Sequence, residues 1–351
     1  MKLNFNFILA VTAATAAAQT AAQTPHPAAG EHHLVRARYL MGTVCRISIE
    51  AAPGAEEAAA AAFDEIARVE SILSTWRAGT ELSRVNAAPI GEPVAVSREL
   101  LEVLADTVEW SERTDGAFNP LVRPLLDAWD LRGRGRLPSP VEVQNAVLRS
   151  RLDGVAIDRA RGTVTRRADA AFEEGGFGKG YALDRAVAAL RERGVARGWI
   201  DFGGQLAVFG FEDRPMEVAI AHPRLRLRAA VGLRLSRGSL STSSASERTF
   251  RSEGRLFSHI VDPRTGTALP PRGSVSVVDE SAFRADVFST ALYVMGPERA
   301  LAWAGAHGVA ALVLVPDGKD RFRLETSSAW REHGLGTTVL DAHVMKGETT
   351  R

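Results

Sequence analysis

The stretch WIDFGGQLAVFGFEDRPMEVAIAHPRLRLRAAVGLRL, residues 199–235, decides the fold class. Its segments 199–201, 206–210, 216–221 and 229–235 read as short strands with turn residues between them, a succession that suggests a meander. Just upstream, residues 179–193 put Ala182, Leu183, Ala186, Val187 and Leu190 on one helical stripe, with Gly194 at the C-terminal stop. Further out, 39–51 alternates as a strand, and 55–76 carries Phe63, Ile66, Val69 and Leu73 at helical spacing. Ser97 serves as the N-cap of a helix ending near Asp115-Gly116, and 153–164 is strand-like. Beyond the meander, 274–278 and 309–315 read as strands, and 285–295 and 298–307 as helices. The order is mixed, without regular βαβ alternation. An α+β fold with mixed or antiparallel sheets and packed helices is therefore expected over a doubly wound sheet. No internal repeat or clear interdomain linker interrupts residues 37–340, which read as one domain.

At 351 residues and 45% hydrophobic, the chain is long and apolar enough to bury a substantial core. Its 43 basic and 42 acidic side chains nearly cancel, so no global field draws it to nucleic acid, which is excluded as a partner. Residues 1–24 combine Lys2 with a short apolar run, 5–18, and Ala16-Ala17-Ala18 fits a cleavage site, with Ala22 as a second candidate. A signal peptide over 1–18, a linker over 19–36 and a soluble periplasmic protein are expected, since the run is too short and too alanine-rich to span a bilayer. Cys45 is the only cysteine, so no intramolecular disulfide or thiolate zinc site can form. Its place in Val44-Cys45-Arg46-Ile47-Ser48-Ile49 points to core packing.

Three clusters could carry chemistry. Gly175-Gly176-Phe177-Gly178-Lys179-Gly180 lies directly before a helix, where bare backbone suits close approach of a phosphate, or else forms a flexible turn. It is not a P-loop, because Gly180 rather than Ser or Thr follows Lys179, and neither register of the dinucleotide fingerprint fits. Asp286 and Thr290, four apart on one helix, offer two hard oxygen donors for Mg2+; the alternative is a helix cap and a hydroxyl that packs or bonds back to a carbonyl. His259, at a strand end before Asp262-Pro263-Arg264-Thr265-Gly266, could take a proton from a hydroxyl, or be a satisfied structural group. Asp262 is expected to close an Asx turn with Thr265. Trp76, Phe118 and Asn119 could sandwich and hydrogen-bond a flat heterocycle, or equally be core and turn. The hydroxyl-rich run 239–246 has no Gly-x-Ser-x-Gly elbow.

Taken in order, Met41-Gly42-Thr43, Asp115 to Pro120, Gly175 to Asp184, Asp201-Phe202-Gly203-Gly204, Ser258 to Gly266 and Ala285-Asp286 through Thr290 resemble the ApbE family of flavin transferases from about Met41 to Gly296. The resemblance implies transfer of FMN from FAD to a Thr or Ser hydroxyl of an acceptor protein, with release of AMP. It implies Mg2+ bound by Asp286, Thr290 and the Gly178 carbonyl, and His259 as the base. It places FAD contacts at Met41, Trp76, Ala117, Phe118, Asn119, Gly175, Tyr181 and Ile260. The acceptor it suggests is a flavoprotein, such as a subunit of a membrane redox complex. Departures are Asn119 where many relatives have Asp, Glu173-Glu174 for Asp-Leu, Val287-Phe288 for a smaller pair, and Ser289 at a place acidic in some members. Two rival readings stand beside it: an FAD pyrophosphatase releasing FMN and AMP, and a non-catalytic periplasmic FAD-binding protein.

Overall fold

A computed structural model describes residues 32–347. The expected signal peptide and the linker up to residue 31 lie outside the described residues. Nine strands form the central sheet and follow one another across it in chain order: β1 (His33–Leu40), β2 (Thr43–Glu50), β3 (Gly198–Phe202), β4 (Gln205–Phe209), β5 (Gly238–Ser244), β6 (Ser274–Asp279), β7 (Ala310–Asp317), β8 (Arg321–Thr326) and β9 (Val344–Lys346). Each adjacent pair is antiparallel except β8 and β9, which are parallel. The fold is thus α+β with a largely antiparallel sheet, as the element order required.

Both faces of the sheet are covered, and the strand period sorts the side chains between them. Along β4, Ala207 and Phe209 point into the larger core while Leu206 and Val208 point into the second. The larger core is completed by three helices, α1 (Ala55–Leu73), α2 (Gly178–Glu192) and α3 (Ala282–Met295). In α1, Ala55, Ala58, Ala59, Ala62, Phe63, Ile66, Val69 and Leu73 form one buried stripe, which explains its single-faced packing. α3 is buried on nearly every side, so its polar residues Asp286 and Ser289 sit inside the protein.

The opposite face is covered by a three-stranded sheet of Met216–His222, Leu225–Leu235 and Thr337–Val339. The expected meander over 199–235 is therefore split: its first two strands are β3 and β4, and its last two belong to this smaller sheet. A third cluster joins Leu125, Trp129 and Ala146 to Phe257, Val261 and Ala268, and the Trp129 indole donates to the Gly266 carbonyl at 2.7 Å.

The N-terminal strand differs from expectation. His33–Arg36, assigned to the linker, is part of β1, and 39–51 is a hairpin rather than one strand. Met41 (φ 45°) and Gly42 (φ 77°) make its two-residue turn, a left-handed pair that matches strand twist in tight hairpins.

One close contact sets the position of α2 against α3. A Cβ on Gly180 would lie 2.3 Å from the Ala282 carbonyl oxygen and 2.8 Å from Asp286 Cβ. Gly180→Ala gains at most about 1 kcal/mol of helix propensity, whereas overpacking against backbone costs about 3 kcal/mol. Urea unfolding of Gly180→Ala is expected to show a net loss near 2 kcal/mol; a gain in stability would mean the two helices are not locked at this point.

Candidate active site

The glycine turn before α2, the exposed edge of α3, the hydroxyl side of β5, the loop 117–132 and the hairpin carrying His259 enclose a cavity of about 270 Å3. Its walls include Trp76, Ala117, Phe118, Asn119, Gly175, Ile260, His259, Asp286 and Thr290, so most of the residues singled out from sequence meet in one place. Local chemistry explains each position. Asp115 and Gly116 both have positive φ and end the preceding helix. Its C-terminal Thr114 receives the Phe118 N–H on its hydroxyl at 3.2 Å, turning Ala117 and Phe118 inward. Asn119 lines the cavity but is largely spent on its own loop: Nδ2 donates to the Ser150 carbonyl and Oδ1 accepts from the Leu121 N–H, each at 2.8 Å. Trp76 is 64% exposed, with the Arg132 guanidinium 4.1 Å above its ring. That arginine also donates to the Glu173 carboxylate and the Thr75 hydroxyl.

Three expected contacts fall elsewhere. Tyr181 is two residues past Lys179, about 200° round the helix, and faces away from the cavity. Its hydroxyl donates to Glu99 Oε1 at 2.7 Å and its ring packs edge-on against Phe283. Met41 reaches the far side of the glycine turn, where its Cε would lie 3.4 Å from a Cβ on Gly178. Gly178 is already the first residue of α2 and faces Glu174 and Met41, and it is not among the residues lining the cavity. Gly176 is the glycine that faces Thr290, 3.5 Å from its Oγ1 by the same measure, and it lines the cavity. The glycine turn thus meets Thr290 through Gly176, while Gly178, the expected ligand, stands one residue before Lys179 at the start of α2.

Asp286 is not a cap; Ser281 caps α3 by accepting the Arg284 N–H. The carboxylate is 7% exposed and accepts the Gly180 N–H on Oδ2 at 3.1 Å. Burial pushes its pKa up to about 6; Lys179 and the Gly180 N–H pull it down, and Glu247 adds repulsion. Thr290 does bond back, its hydroxyl donating to the Asp286 carbonyl at 3.1 Å, which leaves the oxygen lone pairs free to accept or ligate. Ser289 at the next position donates to the same carbonyl at 3.0 Å and meets Ser241 and Ser243 of β5 at 3.1 and 3.0 Å. Among the described residues no group of three His, Cys, Asp or Glu could hold a metal unaided. The donors present are one under-compensated buried carboxylate, one hydroxyl and bare backbone, a set suited to a hard cation that takes its remaining oxygens from water or phosphate.

His259 stands across the cavity. Burial lowers its pKa, and Lys179 and Arg248 lower it further, against the pull of Glu247 and the Arg248 carbonyl. Glu173, buried beside Glu174, is raised to about 7 by burial first and by its neighbour second, with Arg132 and Arg123 opposing. Lys179, Glu247, Arg132 and Glu173 all line the cavity, yet sequence reasoning named none of them as site residues. Lys179 lay in the glycine motif, and a cation in the first turn beside bare backbone was the available signal. Arg132 had none. Asp262 bonds the Arg264 N–H at 3.0 Å and its guanidinium at 2.8 Å, so the Asx turn closes on Arg264 rather than Thr265.

This arrangement belongs to a known class. A profile of the ApbE family matches residues 41–313, and the chain belongs to the ApbE family. It is 29% identical over 312 residues to the FAD:protein FMN transferase of Treponema pallidum, covering 82% of this chain and 85% of that protein. The flavinyl transferase ApbE of Pseudomonas stutzeri superposes with a TM-score of 0.77 at 27% identity, over 88% of this chain and 98% of that one. The flavin transferase ApbE of Vibrio cholerae gives 0.77 at 26% identity, over 86% and 99%.

Because folded Asp286 holds its proton more tightly than the unfolded chain, near 3.9, metal-free protein loses stability as pH rises from about 4 to about 6 and carries the full penalty above. Asp286→Asn removes the charge and keeps the shape. In chelator, it is expected to unfold at higher urea than the parent at pH 7.5, by on the order of 2 kcal/mol, with the advantage gone by pH 4. A difference that does not change with pH would contradict the assigned environment.

Proposed function

We propose that this chain is an FAD:protein FMN transferase that moves the FMN half of FAD onto a Thr or Ser hydroxyl of an acceptor protein. The observation that carries the reading is the convergence of Asp286, Thr290 and the Gly175-Gly176 turn on one cavity that also holds His259 and Trp76. Family membership supports it, since the relatives named above carry that activity in their names.

In this reading His259 takes the proton from the acceptor hydroxyl, whose oxygen forms a bond to the FMN-side phosphorus. The bond from that phosphorus to the bridging oxygen breaks, and AMP leaves with the bridging oxygen. Lys179, in the first turn of α2, meets the phosphate oxygens together with the helix N-terminus. Trp76 and Phe118 supply apolar surface for the flavin. Asp286, Thr290 and a backbone carbonyl of the glycine turn would hold Mg2+, which when bound would neutralise charge on the pyrophosphate and on departing AMP. The N-terminal Lys2 and apolar run support export, which would put the acceptor in the periplasm, either soluble or as part of a membrane redox complex.

The test is mass spectrometry of a candidate acceptor incubated with the protein, FAD and Mg2+. One added FMN on Thr or Ser is expected, falling by about 100-fold or more for Asp286→Ala. Release of FMN and AMP with the acceptor unmodified would replace the transferase with a pyrophosphatase, and intact FAD throughout would leave a binding protein.

A further inference from the structure

The Arg248 carbonyl accepts two bonds from His259, one from its backbone N–H and one from Nδ1, both at 3.2 Å. A carbonyl cannot donate, so Nδ1 carries the hydrogen and neutral His259 presents a bare lone pair at Nε2. What faces that nitrogen is Glu247, with Oε2 at 3.9 Å. In the neutral state two acceptors confront each other across a gap too long for a hydrogen bond. Once Nε2 gains a proton, the same pair becomes an imidazolium opposite a carboxylate. Glu247 precedes the residue that anchors His259, so the two side chains are carried by one hairpin and keep their spacing.

We propose that Glu247 is a positioning residue for the transfer reaction, acting through His259 by stabilising the imidazolium that forms as the acceptor hydroxyl gives up its proton. The inference rests on the reading of His259 as the base. Fixed charge aimed at where charge develops is the general means by which such groups act. The other charges facing the pair are Lys179, Arg248 and, towards Glu247, Arg226 at 3.6 Å and the Asp286 carboxylate at longer range. Burial would raise the Glu247 carboxyl, but Lys179, His259 and Arg226 outweigh it and hold it ionised. The Glu247 side chain is 40% exposed, and Arg226, 23% exposed, is the cation that Glu247→Gln leaves opposite an uncharged amide.

The experiment is the pH profile of kcat for FMN transfer at saturating FAD and Mg2+, for the parent, Glu247→Gln, Glu247→Asp and His259→Asn. The acid limb reports loss of the free base. Removing the nearby carboxylate lowers the His259 pKa, so in Glu247→Gln that limb is expected to move to lower pH by about one unit while the plateau falls about tenfold. Glu247→Asp is expected to recover part of both, and His259→Asn to lose transfer across the range. An acid limb at its original place in Glu247→Gln with a plateau within twofold, alongside an inactive His259→Asn, overturns the role of Glu247 and leaves His259 as the base. Full activity in His259→Asn overturns the base itself, and the inference with it.

Discussion

The contact of α2 with α3 at Gly180 is the constraint on which the cavity depends. Without a side chain there, the two helices approach until the Gly180 N–H reaches the Asp286 carboxylate at 3.1 Å. That one geometry does two things. It holds a carboxylate inside a helix buried on nearly every side, and it brings the glycine turn ahead of α2 against Thr290. A buried carboxylate with one backbone donor is far from fully compensated, so this position costs the empty protein stability that a bound cation would return. Such local conflict between stability and chemistry is expected where function is built.

Much of this was legible from spacing alone. The α2 stripe and the stop at Gly194 were plain, and so was the absence of βαβ order. The i, i+4 relation of Asp286 and Thr290 follows from helical pitch, which does not depend on tertiary context. What spacing could not provide was the environment of each group. Gly178 and Gly176 are indistinguishable in a string of glycines; only the packed turn and the helix start at Gly178 show that it is Gly176 that faces Thr290. Tyr181 and Lys179 are likewise neighbours in sequence and opposed in space. Asn119 looked like a ligand amide, but its donors and acceptor are largely consumed by Ser150 and Leu121.

The break of the meander into two sheets has a similar cause. Strand period reports which side chains share a face, not which partner a strand takes. β3 and β4 are buried on both faces, whereas Met216–His222 alternates between buried and less buried positions. That contrast fits a two-sided central sheet for the first pair and a covering layer for the second, but it becomes decisive only once the large sheet is known to need a cover over Trp199, Leu206 and Leu312.

The charges in the cavity complete the argument for how it treats an anion. Arg132 lines it but is held by Glu173 and Thr75, and so contributes little field to a ligand. Arg248 offers its carbonyl to His259, while its guanidinium donates to the Gly133 carbonyl. Lys179 is left with no carboxylate within ion-pair distance among the described residues, and it faces Asp286, Glu247 and His259 at longer range. Against it stand the carboxylates of Asp286 and Glu247. The lining carries three cations, Arg132, Lys179 and Arg248, against three carboxylates, Glu173, Glu247 and Asp286, so a pyrophosphate entering this cavity would meet little net positive charge. A cation held by the oxygen donors of Asp286 and Thr290 on α3 would add the positive charge that the lining side chains do not supply in excess. A neutral His259 fits the same balance, because it adds no competing cation until the reaction delivers a proton to it.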